Sequence, residues 1–165
     1  MILPDARAYS RPESNGLLFG LREPVSVSVD PRELPETVSG YVINHDSNGW
    51  SSLEEGIPAL TAFFPLVQEV EIRRYISGLS NYTPDGMYVL GKVPGLEGFL
   101  AATGCSGAGI AMSGGIGRAV AELAVGAEPF VDLTPHRIDR FGLFDPLDEE
   151  FRRRCGEARS GKITG

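Results

Sequence analysis

Between Phe99 and Val125 the sequence sets Gly104-Cys105-Ser106-Gly107-Ala108-Gly109 after an apolar run and before a helix-like stretch that holds Gly114, Gly115 and Gly117. Such residues do chemistry with their backbone. Without a Cβ, glycine lets N–H groups approach a ligand unobstructed. A helix that begins there adds unpaired N–H donors and the positive end of its dipole. Together these suit an oxygen carrying negative charge, either a phosphate or a carbonyl of an electron-rich ring. Small residues also let a helix lie close on a sheet, and the residues alone do not choose between the two readings. The run is not a dinucleotide fingerprint. Gly107-Ala108-Gly109 is followed by Ile110-Ala111-Met112, so the third glycine is missing, and no acidic residue stands on a following strand.

Other reactive side chains are scattered. His45 beside Asp46 has the makings of a general base pair, but no third partner accompanies it and it reads as a loop histidine. Cys105 at a helix start reads as a small loop filler rather than a reactive thiol. Tyr75, Tyr82 and Tyr88 are able to reach a substrate carboxylate or amine, though sheet cores carry aromatics in the same pattern. Asp85, in Pro84-Asp85-Gly86, reads as a turn former. Two histidines, His45 and His136, do not make a zinc site, and no Ser-His-Asp arrangement is present.

The elements that position these residues follow from local pattern. Ala8–Arg11 and Leu17–Leu21 read as strands around an Asn15-Gly16 turn. Val25, Val27 and Val29 alternate with serines, which predicts another strand. Ser51 or Ser52 caps a helix running to about residue 63, with Glu54 and Glu55 in its first turn and Pro58 at a first-turn position or kink. Val70–Ile76 alternates and predicts a strand. Met87–Gly91 and Gly98–Thr103 are short strands, and a helix then runs to about Val125, where Gly126 stops it. Asp132–Phe144 reads as irregular. Asp145-Pro146 opens a short charged helix that frays at Ser160-Gly161-Lys162.

Composition narrows the function classes. The chain has 165 residues, 42% of them hydrophobic and 22% charged, as in an ordinary globular domain. Its net charge of −7 argues against a nucleic acid or an anionic membrane as partner. The one basic cluster, Arg152-Arg153-Arg154, sits beside Asp148, Glu149 and Glu150 and reads as a solvated helix end. Two distant cysteines are not a disulfide framework, and no stretch approaches a transmembrane length. The expectation is a reduced, cytoplasmic protein. Glycine is the outlier at 21 residues, spread without low complexity, which points to special backbone geometry.

A longer order of motifs carries a resemblance. Asp5–Glu13 and Gly16–Gly20 are followed by Gly78-Leu79, Thr83-Pro84-Asp85-Gly86, Leu90-Gly91, Pro94 and Gly98-Phe99. Then come Ala102–Ile110, Ala121-Glu122-Leu123, Gly126 and Asp139-Arg140-Phe141. In this order and spacing, over about residues 5–141, the sequence resembles the D-amino-acid oxidase family of flavoproteins, which includes glycine oxidase, sarcosine oxidase and the sarcosine and dimethylglycine dehydrogenases.

The resemblance implies an α+β chain. Residues 1–78 look like the later part of an antiparallel or mixed substrate-domain sheet with its helix. Residues 79–143 look like the last strand, loop and helix of the FAD domain, and residues 144–165 a charged tail. The loop Ser106, Gly107, Ala108, Gly109, Ile110 and Ala111 would lie against the flavin ring, its N–H groups stabilising the anionic reduced form. The reaction implied is hydride transfer from a carbon beside an amine nitrogen to the flavin, giving an imine that hydrolyses.

Departures from the family pattern sharpen these expectations. The N-terminal glycine-rich motif of the Rossmann half is absent, so FAD would be held only if that half, or a partner subunit, is supplied. Ser80 stands where glycine oxidase-like members grip a substrate carboxylate with arginine; Arg73 or Arg74 would substitute, with Tyr75 beside them. Gly78 stands where a covalent flavin has its cysteine, and Ala111 where oxidases place a basic residue. FAD is therefore expected to be non-covalent, and a dehydrogenase fits better than an oxidase. Three functions compete: a fragment or subunit of an amine-oxidising flavoenzyme, inactive alone; a non-catalytic interaction domain that covers an apolar sheet face by forming a homodimer; and, ranked last, an enzyme binding another nucleotide at the glycine loop.

Overall fold

The computed structural model describes residues 1–26, 28–37, 47–76 and 78–162, with the backbone alone at 47–52. His45 and Asp46 lie outside the described residues. The chain divides into two compact units, Met1–Leu79 with Lys162, and Ser80–Gly161. Both mix helix with small antiparallel sheet.

The first unit is built on three strands, β1 (Ile2–Leu3), β2 (Ala8–Glu13) and β3 (Gly16–Leu21), antiparallel and in that order. The expected β2–β3 hairpin is present, with its turn one residue earlier. Glu13 pairs with Gly16, and Ser14 takes the left-handed conformation at φ +50°. Gly16 is thus the first strand residue and not part of the turn. Alternation along β2 buries Ala8 and Ser10 and exposes Tyr9. Tyr9 is paired with Gly20, and its ring fills the space where a Cβ on that glycine would stand.

The buried face meets α1 (Ser47–Thr61). Leu3, Ala6, Ala8, Leu60 and Val67 form the core, with Phe19, Leu21, Ile57 and Phe64 packed around it. Gly56 lets α1 approach β3, since a Cβ there would lie 2.8 Å from Leu21 Cδ1. The helix starts earlier than the serines at 51 and 52 suggest, at Ser47. Glu54 and Glu55 are consequently well inside the helix, as is Pro58.

Two expected strands are not formed among the described residues, outside which Val27 of the first one lies. Val25 and its neighbours, and the segment 70–76, alternate in sequence but pair with nothing among the described residues. Val25 and Ile76 are exposed. Alternation marks a segment that fits a sheet; a ladder also needs a neighbouring strand.

The second unit holds β4 (Val89–Lys92) and β5 (Leu100–Thr103), an antiparallel pair in which Val89 faces Thr103 and Lys92 faces Leu100. Both begin two residues later than the sequence suggests, for local reasons. The Met87 N–H and carbonyl are bound by side chains and are not free for the ladder. Gly98 is turned, at φ +75°. Helix α2 (Gly109–Ala124) lies against both strands. It ends as expected at Gly126, φ +74°, where the N–H of Ala127 reaches Glu122 O at 2.8 Å and that of Gly126 reaches Leu123 O at 3.2 Å. Those two bonds are a Schellman cap.

Beyond α2, two 3-10 turns occupy Thr134–His136 and Ile138–Phe141. Helix α3 (Glu149–Ser160) starts later than Asp145-Pro146, because Asp145 closes a turn onto the Leu147 N–H at 2.8 Å while Asp148 caps the helix through the Phe151 N–H at 2.9 Å. Phe151 stacks on Phe144, ring centres 4.6 Å apart, and Arg159 lies over Tyr82. Among the described residues no helix is long and apolar enough to cross a membrane, and no cluster of His, Cys, Asp or Glu is able to hold a metal.

Candidate functional site

The glycine loop joins β5 to α2 in the second unit, and its two halves differ. The first half is packed. Gly104 sits at φ +64°, and a Cβ there would meet the Thr83 methyl at 2.7 Å and the Val89 nitrogen at 3.5 Å. Ser106 is 3% exposed and left-handed at φ +48°. Its N–H donates to Asn81 O at 3.1 Å, and its hydroxyl to Gly104 O at 3.1 Å.

The second half is open. Gly107 turns the chain at φ +79° and is exposed. Ala108 donates to Cys105 O at 2.8 Å, and the first bond of α2 runs from the Met112 N–H to Ala108 O at 3.0 Å. No side chain caps the helix and its first turn holds no acidic residue. Among the described residues, no hydrogen bond takes up the N–H groups of Gly107, Gly109, Ile110 or Ala111. Ile110 and Ala111 are exposed, Ile110 95% so.

The glycines therefore differ by position. Gly104 permits close packing on Thr83, and Gly109 permits packing on Cys105, whose Cβ would lie 3.2 Å from an added Cβ. Gly107 and the first turn of α2 present a row of free donors at the positive end of a helix dipole. Gly114, Gly115 and Gly117, by contrast, face open space and do not pack helix on sheet.

The expected substrate-side residues are divided between the two units. Arg74 is exposed and Tyr75 half-buried in the 71–76 segment of the first unit, while Ser80 is exposed at the start of the second. Tyr88 lies beside the His136 ring, with centres 5.9 Å apart.

Pattern reading missed one group. Arg140 reaches across 55 residues to Asp85: its Nε donates to Oδ2 at 2.8 Å and its Nη2 to Oδ1 at 3.1 Å. The same Nη2 also donates to Met87 O at 3.1 Å. Asp85 accepts the Met87 N–H at 3.0 Å and lies 2.9 Å from the Thr83 hydroxyl. Partial burial pushes the Asp85 carboxyl up, but hydrogen bonds from Arg140, Met87 and Thr83 outweigh it and hold its pKa down to about 2. Both residues stood in the motif order noted above; nothing in that order says that they meet.

Comparison with known proteins adds an independent finding. Residues 1–123 match the family model described as FAD dependent oxidoreductase, DAO. The mitochondrial pyruvate dehydrogenase phosphatase regulatory subunit of Mus musculus is 25% identical over 154 residues, which is 93% of this chain and 17% of that protein. Mitochondrial sarcosine dehydrogenase of Mus musculus is 26% identical over 137 residues, 83% of this chain and 14% of that one. N-methyl-L-tryptophan oxidase of Salmonella typhi is 39% identical over 59 residues, 36% of this chain and 16% of that one. The chain thus spans less than a fifth of the length of these relatives. No solved structure matches it significantly.

Proposed function

The chain belongs to the DAO family of FAD dependent oxidoreductases, and on that premise we propose that Ser106–Ala111 forms one edge of a non-covalent FAD site in an enzyme that oxidises a small amine or amino acid at a C–N bond. The observation that carries this reading is the open row of unpaired N–H groups at Gly107, Gly109, Ile110 and Ala111. Their chemistry fits an electron-rich ring edge and repels no anion, since no carboxylate stands in the first turn of α2. Bound FAD supplies the hydride acceptor. The backbone donors of this chain would stabilise negative charge on the ring edge they face, and the α2 dipole would add to them. Ser106 holds the loop in place by its buried N–H and hydroxyl rather than by touching the ring.

The remaining assignments follow from residue types. Gly78 and Ala111 offer no nucleophile and no cation, which supports a non-covalent flavin and an electron acceptor other than oxygen. Arg74 and Tyr75, with Ser80, are the proposed substrate-side residues. The rest of the FAD site comes from sequence outside these 165 residues, as an N-terminal half or a partner subunit, and the chain alone turns over no amine. Support comes from the small share of each relative that the chain spans.

The test is a flavin fluorescence titration of the chain with FAD, alone and with the complementary half. Weak or no uptake alone and stoichiometric uptake in the pair is the expected result. A stoichiometric yellow complex with amine turnover from the chain alone would sink the shared-site reading, and a colourless pair would sink the flavin reading.

One relative supports a second reading. The match that covers 93% of the chain is to a protein named as a regulatory subunit. A non-catalytic interaction domain, able to pair with itself, would keep the fold and bind a partner without redox turnover. A pair that takes up FAD but oxidises no amine would favour it.

A further inference from the structure

The N–H groups of the open half are unpaired, and apart from the Ala108–Cys105 bond and α2 itself its place depends on the packed half. That half rests on the turn at residues 81–87. Ser106 is bonded to Asn81 O at 3.1 Å, and Gly104 leaves only the space that the Thr83 methyl takes. A shift of this turn carries the loop with it.

The turn is itself braced. Its Gly86 N–H closes on Thr83 O at 3.0 Å. The Thr83 hydroxyl lies 2.6 Å from Met87 O and 2.9 Å from Asp85 Oδ1, so one proton serves two acceptors. Asp85 and Met87 O are then gripped together by Arg140, which uses its Nε and Nη2 on them and gives its Nη1 to Arg137 O at 2.8 Å. The guanidinium also lies over the Phe141 ring, 4.1 Å from its centre, and its side chain is 14% exposed. Every nitrogen of the fork is used within the protein, so Arg140 has no edge left for a ligand. It spans from the 3-10 turn at Ile138–Phe141 to the 83–87 turn.

We propose that Arg140 is a positioning residue for the cofactor loop, acting through Asp85 and Thr83 to hold the free N–H groups of residues 107–111 in register with their ligand. This rests on the flavin reading of that loop. A lysine would keep the charge but not the planar fork that binds a carboxylate and a carbonyl together. The geometry therefore requires arginine and not merely a cation.

The experiment compares the full chain with Arg140→Lys and Arg140→Gln, reading amide hydrogen exchange at Ser106 and at Ala127 and FAD affinity with the complementary half. Ala127, at the far end of α2, reports general loosening of the unit. In both variants exchange at Ser106 should rise roughly tenfold, that at Ala127 should stay constant, and the FAD dissociation constant should rise roughly tenfold. Equal acceleration at both amides would reduce Arg140 to a stability role and overturn the proposal. So would an unchanged Ser106 amide, full rescue by lysine, or a freed loop with unchanged FAD affinity. If the unaltered protein takes up no flavin even with the complementary half, the flavin reading fails on that result alone, and the exchange data still decide whether Arg140 holds the loop.

Discussion

The Thr83 methyl stands 2.7 Å from the place a Cβ on Gly104 would take, so the missing side chain is what lets the 81–87 turn lie against the glycine loop. Gly104→Ala should be destabilising for two separable reasons. The left-handed backbone at φ +64° costs alanine about 1 kcal/mol. The collision with Thr83 costs about 1–3 kcal/mol more. Thr83→Ser removes the methyl and keeps the hydroxyl, so the double variant should regain the collision part and not the backbone part. Urea midpoints of the four proteins decide it. A double variant no more stable than Gly104→Ala would mean the contact is not the cause.

Asp85 and Arg140 make stability depend on pH. The Asp85 carboxyl falls from its ordinary 3.8 to about 2 in the folded chain. A group whose folded pKa is lowered stabilises the fold above its unfolded value and loses that contribution as pH falls through the folded one. The unit should therefore weaken between about pH 4 and pH 2. Asp85→Asn should flatten that part of the profile and cost about 1–2 kcal/mol at neutral pH, a range discounted for the partial exposure of the pair. Thermal melts across pH read both effects. A slope unchanged in the variant would assign the acid sensitivity to other carboxylates.

Helix α3 depends on its cap. Asp148 accepts the Phe151 N–H at 2.9 Å, and the same Phe151 stacks on Phe144. Asp148→Ala should lower stability by about 1 kcal/mol, whereas Asp145→Ala, which removes a turn bond outside the helix, should cost less. Helical content by circular dichroism, followed through a melt, separates the two. Equal losses would place the helix start at Asp145 after all.

Features set by neighbouring residues were legible in the sequence. The β2–β3 hairpin, the β5–loop–α2 passage and the stop at Gly126 each rest on a glycine or turn residue whose backbone preference acts locally. The hairpin was displaced by one residue because Ser14, not Gly16, took the left-handed turn position. Segments around Val25 and at 70–76 were misread because alternation records fitness for a sheet and not the presence of a neighbour. The division of the loop into a packed half and an open half was not legible either. It turns on Thr83 meeting Gly104, and the Asp85–Arg140 pair likewise joins segments 55 residues apart.

Gly107 and Gly126 form a natural matched pair for testing the site. Both are exposed, and both are left-handed, at φ +79° and φ +74°. Alanine at either position should cost about 1 kcal/mol through backbone strain alone. Only Gly107 stands in the open half of the loop, beside the free donors at Gly109, Ile110 and Ala111; Gly126 follows the opposite end of α2. With the complementary half present, Gly107→Ala should therefore weaken FAD binding roughly tenfold, because strain there re-aims the donors proposed to face one ring edge. Gly126→Ala should leave the titration unchanged at the same loss of stability. Were the two variants to bind FAD alike, the loop would be a turn like any other, and the donors at the start of α2 would face only water.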